Sequence, residues 1–283
     1  MRDNTTWLDT ALLDWDKRIY TTDNPDATLA VPANRGREGM VYLTYIIDHY
    51  DSLPPVIIFQ HANQYQWHND DPLYDGLRML ERLSIPTVAR EGYANLRCVW
   101  TLGCPVEIRP IEEATTRTLG IDGIPEDAKA GQYYKEAFEH LFPDVPVPEE
   151  IGLSCCAQFA VTAAKVRERP RRDYERYRRW LLETPLRDDL SGRIMEYSWH
   201  IIFGKDAVHC PDASKCYCDL FGLCALSCEE QGVCRSQYTL AKYSTLPQGW
   251  PEYDWDGDWQ DVPRLRAEQE LDYIGSAVEI SAD

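Results

Sequence analysis

No run in this sequence approaches the ~20 consecutive apolar residues that span a bilayer. The first twenty residues, MRDNTTWLDTALLDWDKRIY, are too polar for a cleaved leader. There is no internal repeat and no low-complexity linker. A Walker A loop and a GxGxxG fingerprint are both missing, which removes the two commonest phosphate cradles. Basic residues are in short supply: 29 Lys and Arg stand against 47 Asp and Glu, for a formal net charge of −18. An acidic surface repels phosphate backbones and anionic lipid, so nucleic acid is not an expected partner. The one basic stretch, RERPRRDYERYRR (167–179), would serve at most a small anion.

What is present is a globular composition, 44% hydrophobic over 283 residues, enough for one large core. Ten cysteines are present, six of them between 210 and 234 in the spacing C-x5-C-x-C-x5-C-x3-C-x5-C. That spacing has no CxxC knuckle, so disulfides are favoured over structural zinc. Disulfides would place the chain in the secretory lumen or outside the cell, and the expectation is then that a leader or membrane anchor belongs to the protein beyond this sequence. Asn4-Thr5-Thr6 is a glycosylation sequon that agrees.

The pattern from 27 to 110 alternates strand-like and helix-like pieces. Ala27 to Val31 reads as a short strand. Asn34-Arg35-Gly36-Arg37-Glu38 opens a helix whose buried face is Leu43, Ile46, Ile47 and Tyr50. Val56 to Phe59, apolar without alternation, reads as a central strand covered on both faces. Strand, helix, strand in this order predicts an α/β domain with a mostly parallel sheet flanked by helices. Helices are expected over 72–84, 132–141, 173–183 and 191–203, and further strands after Glu91 and over 155–161. The domain organisation expected is an N-terminal arm (1–26), an α/β core (27–204), a cysteine-rich segment packed on it (205–249) and an acidic tail (250–283).

Four stretches carry residues suited to chemistry. FQHANQYQWHNDD (59–71) places His61, His68, Asp70 and Asp71 just beyond a strand end, where open sheets gather ligands. Adjacent carboxylates repel, and a divalent cation relieves that repulsion. The plain alternative is that Asp71 caps a helix beginning at Pro72. PANRGREGM (32–40) offers Asn34, Arg37 and Glu38 at a helix start, a setting suited to phosphate. IMEYSWHIIFG (194–204) spaces Glu196 and His200 four apart, on one face if the helix is continuous; a base, a ligand pair or a buried hydrogen bond would each use that spacing. DWDGDWQD (254–261) lacks the full calcium-loop spacing and reads as an acidic turn.

The runs VPANRGREGMVYLTYIIDHYDSLP, FQHANQYQWHNDDPLYD, GYANLRCVWTLGCP, LSCCAQFAVT, YRRWLLETPL and EYSWHIIFG together resemble a large, mostly fungal family, a domain of unknown function with an Asn-Leu-Arg-Cys motif, here Asn95-Leu96-Arg97-Cys98. Many of its members carry an N-terminal membrane anchor. A second resemblance joins Asn34-x-Gly36-Arg37-Glu38, the strand ending in His61 and the Glu196-x-x-Trp199 helix. These look like GT-A-type glycosyltransferases, the rhamnan-synthesis class in particular. That likeness implies a GT-A-like fold, a nucleotide-sugar donor and a divalent cation, Mn²⁺ or Mg²⁺. Asn69-Asp70-Asp71 stands where the usual Asp-x-Asp would be.

The leading expectation is therefore a glycosyltransferase-like enzyme of the secretory pathway acting on a small molecule or glycan. His61 and a cation on Asp70, Asp71 and His68 would meet the donor. Asn34, Arg37 and Glu38 would lie at its phosphates, and Glu196 or His200 would take the acceptor proton. A natural-product enzyme doing condensation, cyclisation or amide formation is the first alternative. A non-catalytic secreted carbohydrate-binding module, using some of the nine tryptophans and seventeen tyrosines, is the second. Thiol titration of the unfolded, unreduced chain should leave the six cysteines of 210–234 unreactive; ten reactive thiols would remove the compartment argument.

Overall fold

A computed structural model describes residues 3–117 and 124–274. In chain order the elements are α1 (Glu38–His49), β1 (Val56–Phe59), α2 (Gly76–Arg82), α3 (Ile85–Glu91), β2 (Tyr93–Asn95), α4 (Pro110–Ala114), α5 (Gly131–Leu141), β3 (Gly152–Leu153), β4 (Phe159–Thr162), α6 (Ala163–Arg167), α7 (Arg171–Glu183), α8 (Asp188–Glu196), α9 (Trp199–Ile202), β5 (Val208–His209), α10 (Ala213–Phe221) and α11 (Val262–Ile274). A short 3₁₀ turn, Thr6–Asp9, lies in the N-terminal arm.

The class is mixed α/β, but the main sheet is not the parallel one expected. Its order is β1-β4-β2, and β4 runs antiparallel to both neighbours. β1 and β2 do run parallel to each other, as a strand-helix-strand unit should. The fully buried β4 is inserted between them and takes the central place, leaving β1 at an edge with one face better covered than the other. Ala27–Val31 supplies no strand; Ala30 forms one isolated bridge with Thr21. The only parallel pairing in these sheets is the two-residue β3–β5 ladder. The GT-A likeness therefore gains no support from the sheet.

Period-two alternation still governs the packing. Phe59, Tyr93, Phe159 and Val161 face one core with α1, α5, α7, α8 and α9, where Met40, Leu43, Ile46, Phe138, Tyr177 and Trp199 are buried. Ala94 and Ala160 face the other, with α2, α3 and α10, through Leu80, Val88, Tyr217 and Phe221. α1 buries the predicted Leu43, Ile46 and Ile47, while Tyr50 ends the helix and its hydroxyl donates to the Arg169 carbonyl. The helix predicted over 191–203 is two helices, because the chain turns at Tyr197 and Ser198.

All ten cysteines are paired. Cys98–Cys216 and Cys104–Cys210 span 118 and 106 residues and fasten the cysteine-rich segment to the core. Cys218–Cys224 and Cys228–Cys234 close small loops within it. Five disulfides fit an oxidising compartment. Among the described residues no helix is long and apolar enough to cross a membrane.

The acidic tail is anchored as far as residue 274. Trp250 packs on Tyr74 and donates its indole N–H to the Leu73 carbonyl. α11 lies against α2, where Glu270 pairs with Arg78 and Arg82. Arg266 reaches Asp71 at 2.9 Å and Asp75 at 3.0 Å, two carboxylates almost wholly buried. Removing one partner of a buried ion cluster strands the others. Arg266→Ala is expected to cost about 3 kcal/mol in urea denaturation. Arg264→Ala, which breaks an exposed pair with Glu268, should stay within about 0.5 kcal/mol.

Candidate active site

The loop leaving β1 folds back through an amide network. Asn69 Oδ1 accepts from Gln158 Nε2 at 3.1 Å and from Gln60 Nε2 at 3.3 Å, and Gln158 Oε1 accepts from the His61 backbone N–H at 3.0 Å. Asn69 Nδ2 donates to the carbonyls of Gln64 and Tyr74. Buried amides satisfied in this way fix a loop that has no regular structure of its own. His61 and His68 are thereby brought edge to face, ring centres 4.7 Å apart, with Trp67 against His68.

The Asn-Leu-Arg-Cys motif locks this loop from beneath. Asn95 Nδ2 donates to the Ser154 carbonyl at 2.6 Å. Leu96 enters the second core and Cys98 joins α10. The nearly buried Arg97 donates to the carbonyls of His68 and Thr101, stacks 4.1 Å over Tyr238, and lies 3.7 Å from Cys156 Sγ.

Asp70 and Asp71 are placed differently from a cation site. Asp70 Oδ2 accepts from the backbone N–H groups of Cys98 and Val99, and Oδ1 accepts from the Tyr217 hydroxyl at 2.6 Å. Burial raises its pKa, opposed first by the Arg97 charge. Asp71 Oδ1 accepts from the N–H groups of Leu73 and Asp75 while both its oxygens meet Arg266. Among the described residues Asp70, Asp71 and His68 do not gather their ligand atoms into one group, so they do not fit a shared divalent cation. Neither aspartate caps a helix at Pro72: α2 begins at Gly76, with Asp75 accepting from the Leu77 N–H at 3.0 Å.

A cleft of about 640 Å³ gathers most of the other candidates. Asn34, Arg37, Glu38, His61, His68 and Glu196 all line it. Gly36 and Arg37 both adopt positive φ, turning Arg37 out at the start of α1. A Cβ at Gly36 would sit 2.5 Å from Leu181, and the Arg37 side chain crosses Gly192 of α8, where a Cβ would meet its Cγ and Cδ at 3.0 Å. Arg37 is exposed in the cleft, unpaired with any described residue. Glu196 ends α8 with Oε1 accepting from the Cys156 N–H at 2.6 Å and Oε2 lying 3.0 Å from Arg193 Nε. Burial raises the pKa of Glu196 and of Glu38; Arg193 acts against the first, and Glu38's own backbone N–H against the second.

His200 lies elsewhere. The turn at Tyr197 and Ser198 breaks the four-residue register with Glu196, and the buried imidazole Nε2 bonds the Ala207 carbonyl at 2.9 Å. His200 is thus a buried, hydrogen-bonded core histidine, and its spacing from Glu196 brings the two into no shared site.

Residues not singled out from the sequence complete the cleft: Tyr42, Arg193, Cys155 and Cys156, with Trp7 and Trp15 of the N-terminal arm. Tyr42 stands one turn after Glu38 and Arg193 three residues before Glu196, spacings that share a helix face. The arm is seated by the Trp7 indole N–H donating to the Ala62 carbonyl. Among the described residues, three buried polar atoms on side chains that line the cleft have no protein partner: the Tyr42 hydroxyl, His61 Nε2 and His68 Nδ1. Folded proteins rarely leave buried polar atoms unmatched, and a bound water or a ligand group would each supply the missing bond.

The family model described as "Protein of unknown function (DUF3431)" matches residues 1–219. The chain belongs to this family. The matched span includes every cleft residue named above and stops within α10. No curated protein and no solved structure matches the chain.

The cleft histidines make stability depend on pH. Burial lowers His61 from 6.5 to about 4 and His68 to about 2. As pH falls from 6.5 towards 4 the unfolded chain takes up protons that the folded one refuses, so stability falls. Glu38 and Glu196, raised, act in the opposite sense. His61→Gln should reduce the loss of unfolding free energy between pH 7 and pH 4.5 by about 2 kcal/mol. An unchanged slope in denaturant titrations would show that His61 is not held neutral.

Proposed function

We propose that this cleft is the active site of a transferase of the secretory pathway, moving a sugar from a nucleotide-sugar donor to a hydroxyl of a small-molecule or glycan acceptor. The observation that carries this reading is the lining of one cleft, which brings Tyr42, His61 and His68, each with a polar atom lacking a protein partner, together with the carboxyls of Glu38 and Glu196 and the guanidinium groups of Arg37 and Arg193. Arg37 and Arg193 would hold the donor diphosphate, taking over the charge balance that a cation on Asp70 and Asp71 would have supplied. Tyr42, His61 and His68 would bond sugar hydroxyls. Glu196 would accept the acceptor's proton as its oxygen attacks the anomeric carbon and the bond to the diphosphate breaks. A carboxylate whose pKa is raised towards neutrality is a better base for that step. Five disulfides support the lumenal setting.

A second reading has its own observation. Trp7, Leu8, Leu12 and Trp15 give one wall of the cleft an apolar surface, which suits a hydrophobic acceptor such as a natural-product scaffold and admits condensation or cyclisation in the same place.

The test is a thermal-shift and transfer screen of the oxidised protein against nucleotide sugars, with and without EDTA. A donor should raise Tm equally in both conditions, and Arg37→Ala should abolish the rise. Glu196→Gln should keep the rise and lower turnover about 10²- to 10⁴-fold. If no nucleotide sugar or nucleoside diphosphate moves Tm, sugar transfer is the wrong chemistry for this cleft.

A further inference from the structure

Cys155 and Cys156 are bonded to each other at the edge of the cleft. Linking adjacent residues restrains almost nothing. By loop-closure entropy a bond between neighbours restricts the unfolded chain far less than the bridges that span more than a hundred residues. The fold therefore has little need of it. The backbone around it is costly instead: Cys156 and Ala157, neither a glycine, both hold positive φ, and such residues persist where surrounding contacts impose them, most often at functional sites. At this backbone the Cys156 N–H donates to Glu196 Oε1 at 2.6 Å. Both sulfurs and a Glu196 oxygen lie within 4.8 Å of one another.

We propose that Cys155–Cys156 is a convertible pair whose reduced form, with Glu196, binds a soft divalent cation of the zinc class. A dithiol reductant delivers two electrons and two protons, closing its own disulfide as the Cys155–Cys156 bond opens to two thiols. The cation then displaces both thiol protons and meets two thiolates and one carboxylate, a ligand set that zinc accepts. Arg97, 3.7 Å from Cys156 Sγ, favours the thiolate. The oxidised pair offers no thiolate, so redox state decides whether the cleft holds a metal. This inference needs the cleft geometry and not the sugar-transfer reading.

The experiment uses the full chain. Dithiothreitol is titrated in anaerobically and removed by desalting, and alkylation with peptide mass spectrometry identifies which cysteines opened. Cd²⁺ is then added, and thiolate-to-cadmium charge-transfer absorption is followed. The expected result is selective labelling of Cys155 and Cys156, with one Cd²⁺ bound per reduced chain and none by the oxidised chain. Glu196→Gln should weaken Cd²⁺ at least tenfold, and Cys155→Ser with Cys156→Ser should abolish it. Should the double variant fail to fold, the oxidised wild-type protein is the matched control. Prior opening of another disulfide overturns the proposal. So does a reduced pair that gives no cadmium absorption, equal binding by the oxidised chain, or unchanged affinity in Glu196→Gln. Each of these readouts is independent of nucleotide-sugar binding.

Discussion

Asp70 is the point through which the structure is tied together. One buried carboxylate accepts from the backbone N–H groups of Cys98, which ends the Asn-Leu-Arg-Cys motif, and of Val99, and from the Tyr217 hydroxyl of α10, while Gln237 donates to the Asp70 backbone carbonyl. Three stretches distant in sequence thus converge on one residue. An ion sealed from water is tolerable only when its oxygens are fully matched. Arg97 nearby supplies the compensating charge and also bonds the loop that bears His68. The position of the cleft histidines is therefore a consequence of how this carboxylate is satisfied.

Much of this was legible from residue patterns alone. Helical periodicity located α1, α5 and α7 because their buried stripes recur at the helical spacing. Three separate signals point to residues that line the cleft: a helix start at Asn34, Arg37 and Glu38, the end of an apolar strand before His61 and His68, and the spacing of Glu196 from His200. Sheet order was not legible. Val56–Phe59 has the composition of a central strand, yet Phe159–Thr162 has it too, and pairing between segments a hundred residues apart leaves no local mark. His200 illustrates the same limit: its spacing from Glu196 implies a shared face, and only the turn at Tyr197 and Ser198 cancels it. Asp70 and Asp71 have the composition of a cation site, and what distinguishes them is the location of Tyr217 and Arg266, 147 and 195 residues away.

The cleft also joins two kinds of wall. One side is built from helix starts, strand ends and the β1 exit loop, each pinned by buried hydrogen bonds. The other comes from the N-terminal arm, which contributes aromatic surface but no strand and only one short 3₁₀ turn. Rigid support beneath the polar groups suits the fixed geometry that bond-making requires. Side chains on a loosely structured arm suit the apolar part of a ligand, where contact matters more than angle.

The central position of β4 carries a consequence for biogenesis. Val56 pairs with Thr162, and Cys98 and Cys104 wait for Cys216 and Cys210. A ribosome adding about 5–20 residues per second exposes the first two strands and those two thiols for several seconds before their partners exist. During that interval the adjacent thiols of Cys155 and Cys156 emerge and can close on each other with no further chain. Sequence order thus separates a bond that needs no later chain from two that must wait for more than a hundred residues.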